Sequence, residues 1–126
     1  MPRPTTFRDL TAWTAAVDLV VTCYRVTGSF PASETYGLIS QIRRAAVSIP
    51  ANVAEGNGRG SRGAYAHHVQ IALGSHTELR ALVEISDRLG FLSPEHLALL
   101  MPQVELVGRL LSGLCKALKR PPIPDP

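Results

Sequence analysis

Cysteine is scarce in this chain: Cys23 and Cys115 are the only two among 126 residues. Each falls inside an apolar helical pattern, so the sequence points to two buried free thiols and away from a disulfide framework. No uninterrupted apolar run of about 18 residues occurs, and no transmembrane helix is expected. The opening residues, Met1-Pro2-Arg3-Pro4-Thr5-Thr6, lack the apolar core of a secretory leader, and the expected compartment is cytoplasmic. Aromatic residues make up only 6%. Trp13 and Tyr24 fit a core stripe, leaving Tyr36 and Tyr65 as the candidates for stacking on bases. His67, His68, His76 and His96 form no His-x-x-x-His or Glu-x-x-His pair, so no metal and no cofactor is expected.

Other properties are plentiful. Hydrophobic residues are 45%, enough for one folded domain over residues 1–120, followed by a proline-rich tail over 121–126. The formal charge is +3, and of the 13 basic residues 11 are arginine, whose planar fork suits phosphate. Such a balance permits nucleic-acid contact without requiring it.

Four helical segments and no strand emerge from the periodicity. The first covers residues 10–27, with Asp9 as N-cap and a seam of Leu10, Trp13, Val17, Val20 and Tyr24. Gly28-Ser29-Phe30-Pro31 stops it. The second starts near Ser33 or Glu34 and reaches Glu55, with Pro50 expected to kink or break it. Ser61 caps the third, whose seam is Tyr65, Val69, Ala72, His76, Leu79, Val83 and Ser86, and Gly90 closes it. Ser93-Pro94 opens the fourth, with a seam of Leu97, Met101, Val104, Val107, Leu111, Leu114 and Leu118. Helices of about 18–29 residues joined by short loops predict an all-α, antiparallel up-down-up-down four-helix bundle. Ile71, Ile85, Leu99, Leu106 and Leu110 exceed what one core needs, so a homo-oligomer is expected.

The second helix carries two adjacent stripes. Leu38, Ile42, Ala45, Ile49 and Val53 make the apolar one. Gln41, Arg44, Ser48, Asn52 and Glu55 make a polar one beside it, which Arg59 would continue. Short hydrogen-bonding groups and arginines flanking a core suit contact with a sister subunit or a nucleic acid. Arg43, Arg44, Arg59 and Arg62 place four positive charges within 20 residues, offset only by Glu55, and are the candidate nucleic-acid-binding groups. Gln41, Ser48, Asn52 and Glu55 are candidates for polar support or interface. Arg109, Lys116, Lys119 and Arg120 form a second cluster, read as complementing the helix dipole and aiding solubility.

Two motif matches point to chemistry. Gly58-Arg59-Gly60-Ser61-Arg62-Gly63 matches the dinucleotide fingerprint, but a helix precedes it where a strand is needed, so it reads as a hinge. Arg62 to His67 resembles the Arg-x-x-x-x-His active-site motif of the HEPN ribonucleases. An arginine at a helix entrance is ordinary, and no enzyme activity is expected.

The longest motif is Gln41-Ile42-Arg43-Arg44-Ala45-Ala46-Val47-Ser48-Ile49-Pro50-Ala51-Asn52-Val53-Ala54-Glu55-Gly56. With Phe7-Arg8-Asp9-Leu10, Tyr36-Gly37-Leu38 and Ile71-Ala72-Leu73-Gly74-Ser75, it resembles the small bacterial four-helix-bundle proteins encoded in intervening sequences of 23S ribosomal RNA. The resemblance implies a homo-oligomer, expected to be a pentamer, with no established enzymatic activity. The accessory protein of diversity-generating retroelements is similar in fold and binds a reverse transcriptase and nucleic acid. The expected function is therefore non-enzymatic RNA binding by an oligomer, with a protein–protein adaptor, for example to a reverse transcriptase, as the alternative.

Overall fold

A computed structural model describes residues 7–120, with side chains described from residue 10 onward; the tail expected over 121–126 and the opening six residues lie outside them. Four helices follow one another: α1 Phe7–Thr27, α2 Leu38–Gly58, α3 Arg62–Arg88 and α4 Pro94–Lys119. Each packs on its two neighbours around a square (α1 on α2, α2 on α3, α3 on α4, α4 on α1), with no diagonal pair among the described residues. Short connections make successive helices antiparallel, so the start of α1, the end of α2, the start of α3 and the end of α4 share one end of the bundle.

Local chemistry sets the helix ends. The Ser61 hydroxyl accepts from the Ala64 amide at 3.1 Å, and Ser93 accepts from His96 at 3.0 Å with Pro94 following as the first helical residue. At the end of α3, Phe91 N–H donates to Ser86 O and Gly90 N–H to Asp87 O, a Schellman closure. It needs a left-handed residue, and Gly90 supplies φ +79°. The start of α2 differs from expectation. A 3-10 turn over Ala32–Glu34 intervenes, and the helix begins at Leu38 because the Glu34 carboxylate folds back to accept from the Leu38 amide at 3.0 Å. α2 then runs through the buried Pro50 to Gly58 without ending. Asp9 lies inside α1, which begins at Phe7, and does not precede it.

The α3 seam is buried as the periodicity predicts, from Tyr65 to Ser86. The α1 seam is not. Ala12, Ala16, Leu19, Cys23 and Val26 face the core, while Leu10, Trp13 and Tyr24 are 55%, 41% and 45% exposed. Both stripes have steps of three and four, so periodicity cannot choose between them. The stripe with alanines wins because small side chains let α1 lie close to its neighbours. The larger residues are left outside, beside Leu106 of α4, which is also exposed.

α4 is long and apolar enough, by length and composition, to cross a membrane, even though Glu105 and Arg109 interrupt its apolar run. In the bundle it supplies Leu100, Val104, Val107, Leu111, Leu114, Cys115 and Leu118 to the core. Leu97 and Met101, expected in that seam, are half-buried at its margin.

Candidate nucleic-acid interface

The polar stripe of α2 divides into an exposed part and a packed part. Gln41 and Arg44 are exposed. Ser48 and Asn52 are half-buried and turn toward α3. Asn52 Nδ2 donates to the Ser48 carbonyl at 2.8 Å and to its hydroxyl at 3.1 Å. That leaves Asn52 Oδ1 as an acceptor for His68 Nδ1–H at 3.2 Å, which assigns the imidazole proton to Nδ1. Ser48 Oγ meets Ser75 Oγ at 2.8 Å. These groups join α2 to α3. Gly56 makes the approach possible, since a Cβ there would stand 2.7 Å from His68 Cβ and 3.0 Å from Tyr65 Cδ1.

Two of the four candidate arginines are occupied inside the subunit. Arg43 Nε donates to Thr27 Oγ1 at 3.0 Å and its Nη2 to the Tyr24 carbonyl at 3.3 Å, while its guanidinium lies 4.4 Å from the centre of the Tyr24 ring. Thr27 in turn donates its hydroxyl proton to Cys23 O at 2.7 Å. Arg43 thus fastens the end of α1 to α2. Arg62 Nη2 reaches the carbonyls of Ala117 and Arg120 at 2.8 and 3.1 Å, and so closes the end of α4, where helix carbonyls otherwise lack donors.

The other two arginines face solvent. Arg59 pairs with Glu55 four residues back, at 2.7 Å, both side chains being more than half exposed. Such a pair is worth only about 0–1 kcal/mol and yields readily to a stronger partner. Arg44 has no hydrogen bond or ion pair among the described residues. Sixteen residues of continuous helix separate Arg43 from Arg59, a rise of roughly 24 Å. The four arginines, adjacent in sequence, therefore form two sites and not one patch.

Topology adds a group that sequence order hides. Arg62 touches the end of α4, so Arg59 and Arg62 share an end of the bundle with Lys116, Lys119 and Arg120. Five cations gather there, and Glu55 is their one paired carboxylate. His67 is exposed in the same region, with the His68 ring 5.7 Å away and edge-on. The clue in sequence was the helix count: an even number of antiparallel helices brings the start of α3 to the end of α4.

Neither thiol is placed for chemistry. Cys23 and Cys115 are both buried and unpaired, and burial pushes the Cys23 thiol up from 9.0 to about 12, far from the thiolate. Among the described residues no three His, Cys, Asp or Glu side chains converge as a metal site would require.

A family model described as 23S rRNA-intervening sequence protein matches residues 8–113. The fold is similar to the crystal structure of a protein of unknown function from the S23 ribosomal protein family of Bacteroides thetaiotaomicron, at a TM-score of 0.79. The two are 20% identical over 87% of this chain and 99% of that one. No curated protein matches the chain.

Proposed function

We propose that this chain, which belongs to the 23S rRNA-intervening sequence protein family, is a non-enzymatic, oligomeric, cytoplasmic protein that binds RNA through the basic end of its bundle. One observation carries the reading: the antiparallel topology collects Arg59, Arg62, Lys116, Lys119 and Arg120 against a single paired carboxylate. Helix dipoles account for Lys116 and Lys119 at the end of α4. They do not account for Arg59, which lies on the α2–α3 connection.

Assembly multiplies this charge. The exposed Leu10, Trp13 and Tyr24 of α1, beside Leu106 of α4, supply an apolar face for a sister subunit. In a pentamer, five copies of a +3 chain carry +15, a field strong enough to hold a polyanion and to lose it in salt. With few exposed aromatics, recognition rests on phosphate and shape.

The test is a titration of structured RNA and matched DNA into the native oligomer at about 50 and 200 mM salt. RNA-preferring binding with a slope of several ions is expected, and Arg59→Gln with Lys119→Gln and Arg120→Gln flattens it. Weak binding, equal for the two nucleic acids, overturns the reading. The assignment then passes to the adaptor, in which the apolar face of α1 docks an RNA-handling protein such as a reverse transcriptase. The ribonuclease reading through Arg62 and His67 draws less support, because the Arg62 guanidinium already serves the α4 carbonyls.

A further inference from the structure

An open groove of about 560 Å³ runs between α3 and α4, away from the α2 stripe. Its charges do not balance. Arg80, Arg109 and Lys116 line it with Glu105 as the one carboxylate, and Glu105 is taken by Arg80. Arg109 and Lys116 have no hydrogen bond or ion pair among the described residues, and neither has the half-buried Ser112 hydroxyl on the same face of α4. Arg109 lies ten residues before the last residue of α4, beyond the reach of the helix-end dipole.

A second observation points the same way. Gly113 is inside α4, where a glycine costs stability relative to alanine. A close helix–helix approach normally accounts for such a residue, as His76 against Gly108 does here. A Cβ at Gly113 would meet no atom within 4 Å. Its absence therefore serves no packing and keeps the groove floor low between two unpartnered cations.

We infer that this groove holds a chain of phosphates, laid along α4 with Arg109 and Lys116 on successive phosphates and the Ser112 hydroxyl and the bare backbone of Gly113 beneath. Seven residues separate the two cations, a rise of about 10.5 Å, which suits charges strung along a chain better than one compact anion. The groove is open along its length, as a threaded strand requires, and Lys116 joins it to the basic end of the bundle. The inference rests on the RNA reading only for the source of the phosphates: RNA is one source and inorganic polyphosphate another.

The experiment uses the native oligomer with two probes: single-stranded RNA followed by affinity, and inorganic polyphosphate followed by the amide chemical shifts of Ser112 and Gly113. Two variants accompany the wild type, Gly113→Gln and the pair Arg109→Gln with Lys116→Gln. Gly113→Gln is expected to melt no lower than wild type, since a helix former replaces glycine in open space, and yet to bind RNA roughly tenfold more weakly. The double variant is expected to flatten the salt slope by about 1.4, two single-strand phosphates' worth. Wild-type RNA affinity in both variants overturns the groove and leaves the RNA reading standing. Should wild type bind no RNA while polyphosphate shifts the two amides, the RNA reading falls and the groove stands. No polyphosphate shift overturns the groove even if a variant fails to fold.

Discussion

His76 Nε2 lies 2.7 Å from the main-chain oxygen of Val104. A carbonyl can only accept, so the buried imidazole carries its proton on Nε2 and donates across the α3–α4 seam. The ring rests against Gly108, where an added Cβ would stand 2.7 Å from Cε1 and 2.9 Å from Nε2. Gly108→Ala therefore sets two effects against each other. Helix propensity gains about 0.5–1 kcal/mol, and overpacking against a hydrogen-bonded ring costs about 1–3. The cost wins. A melting temperature several degrees below wild type at equal protein concentration is expected, whereas a rise would mean the ring moves aside freely.

Adjacent arginines on α2 separate by role. Arg43→Ala removes a charged hydrogen bond to Thr27 and the contact with Tyr24, at about 1–2 kcal/mol. Arg44→Ala removes a solvated side chain and stays within about 0.5 kcal/mol. Urea unfolding of the two single variants checks this. Equal midpoints would refute the fastening role of Arg43.

Arginines 43 and 62 illustrate what sequence could not reveal. Both bond to main-chain oxygens or to a threonine from a distant segment, and no residue pattern marks a carbonyl at a helix end. The α3 seam was legible because it has one apolar stripe. α1 has two, and the larger residues of Leu10, Trp13 and Tyr24 turned out to be the outer one. Ser48 and Asn52 were legible as a polar stripe, but their partners His68 and Ser75 became visible only once α2 lay against α3. The groove was invisible for the same reason, since Arg80 and Arg109 belong to different helices.

Cys23 predicts an alkaline signature. Its folded value, about 12, lies above the unfolded 9.0. Above pH 9 the unfolded chain releases the proton and the native state keeps it, so stability falls as pH rises toward 12, at up to about 1.4 kcal/mol per unit. Cys23→Ala lacks this contribution. Urea midpoints at two pH values, one on each side of 9, should converge for the variant and wild type relative to their difference at the lower pH. Parallel pH profiles would contradict the buried thiol.

Trp13 tests the outer face of α1. It is 41% exposed in the subunit and absent from the core, so Trp13→Ser should leave the helical content unchanged while shifting the native mass toward the monomer. Sedimentation decides the matter. An unfolded variant would place Trp13 in the core, and an intact oligomer would place the subunit contact elsewhere.

The chain Ser75–Ser48–Asn52–His68 has a consequence for how the bundle can be misassembled. Apolar seams alone tolerate slippage: one helical turn, about 5.4 Å, brings another valine or leucine to nearly the same place. Here a one-turn slide of α2 along α3 would strand an amide, two hydroxyls and an imidazole at roughly 1–3 kcal/mol apiece. Four side chains thus act as teeth that mesh in a single position, and the level ends of α2, α3 and α4 follow from that one alignment.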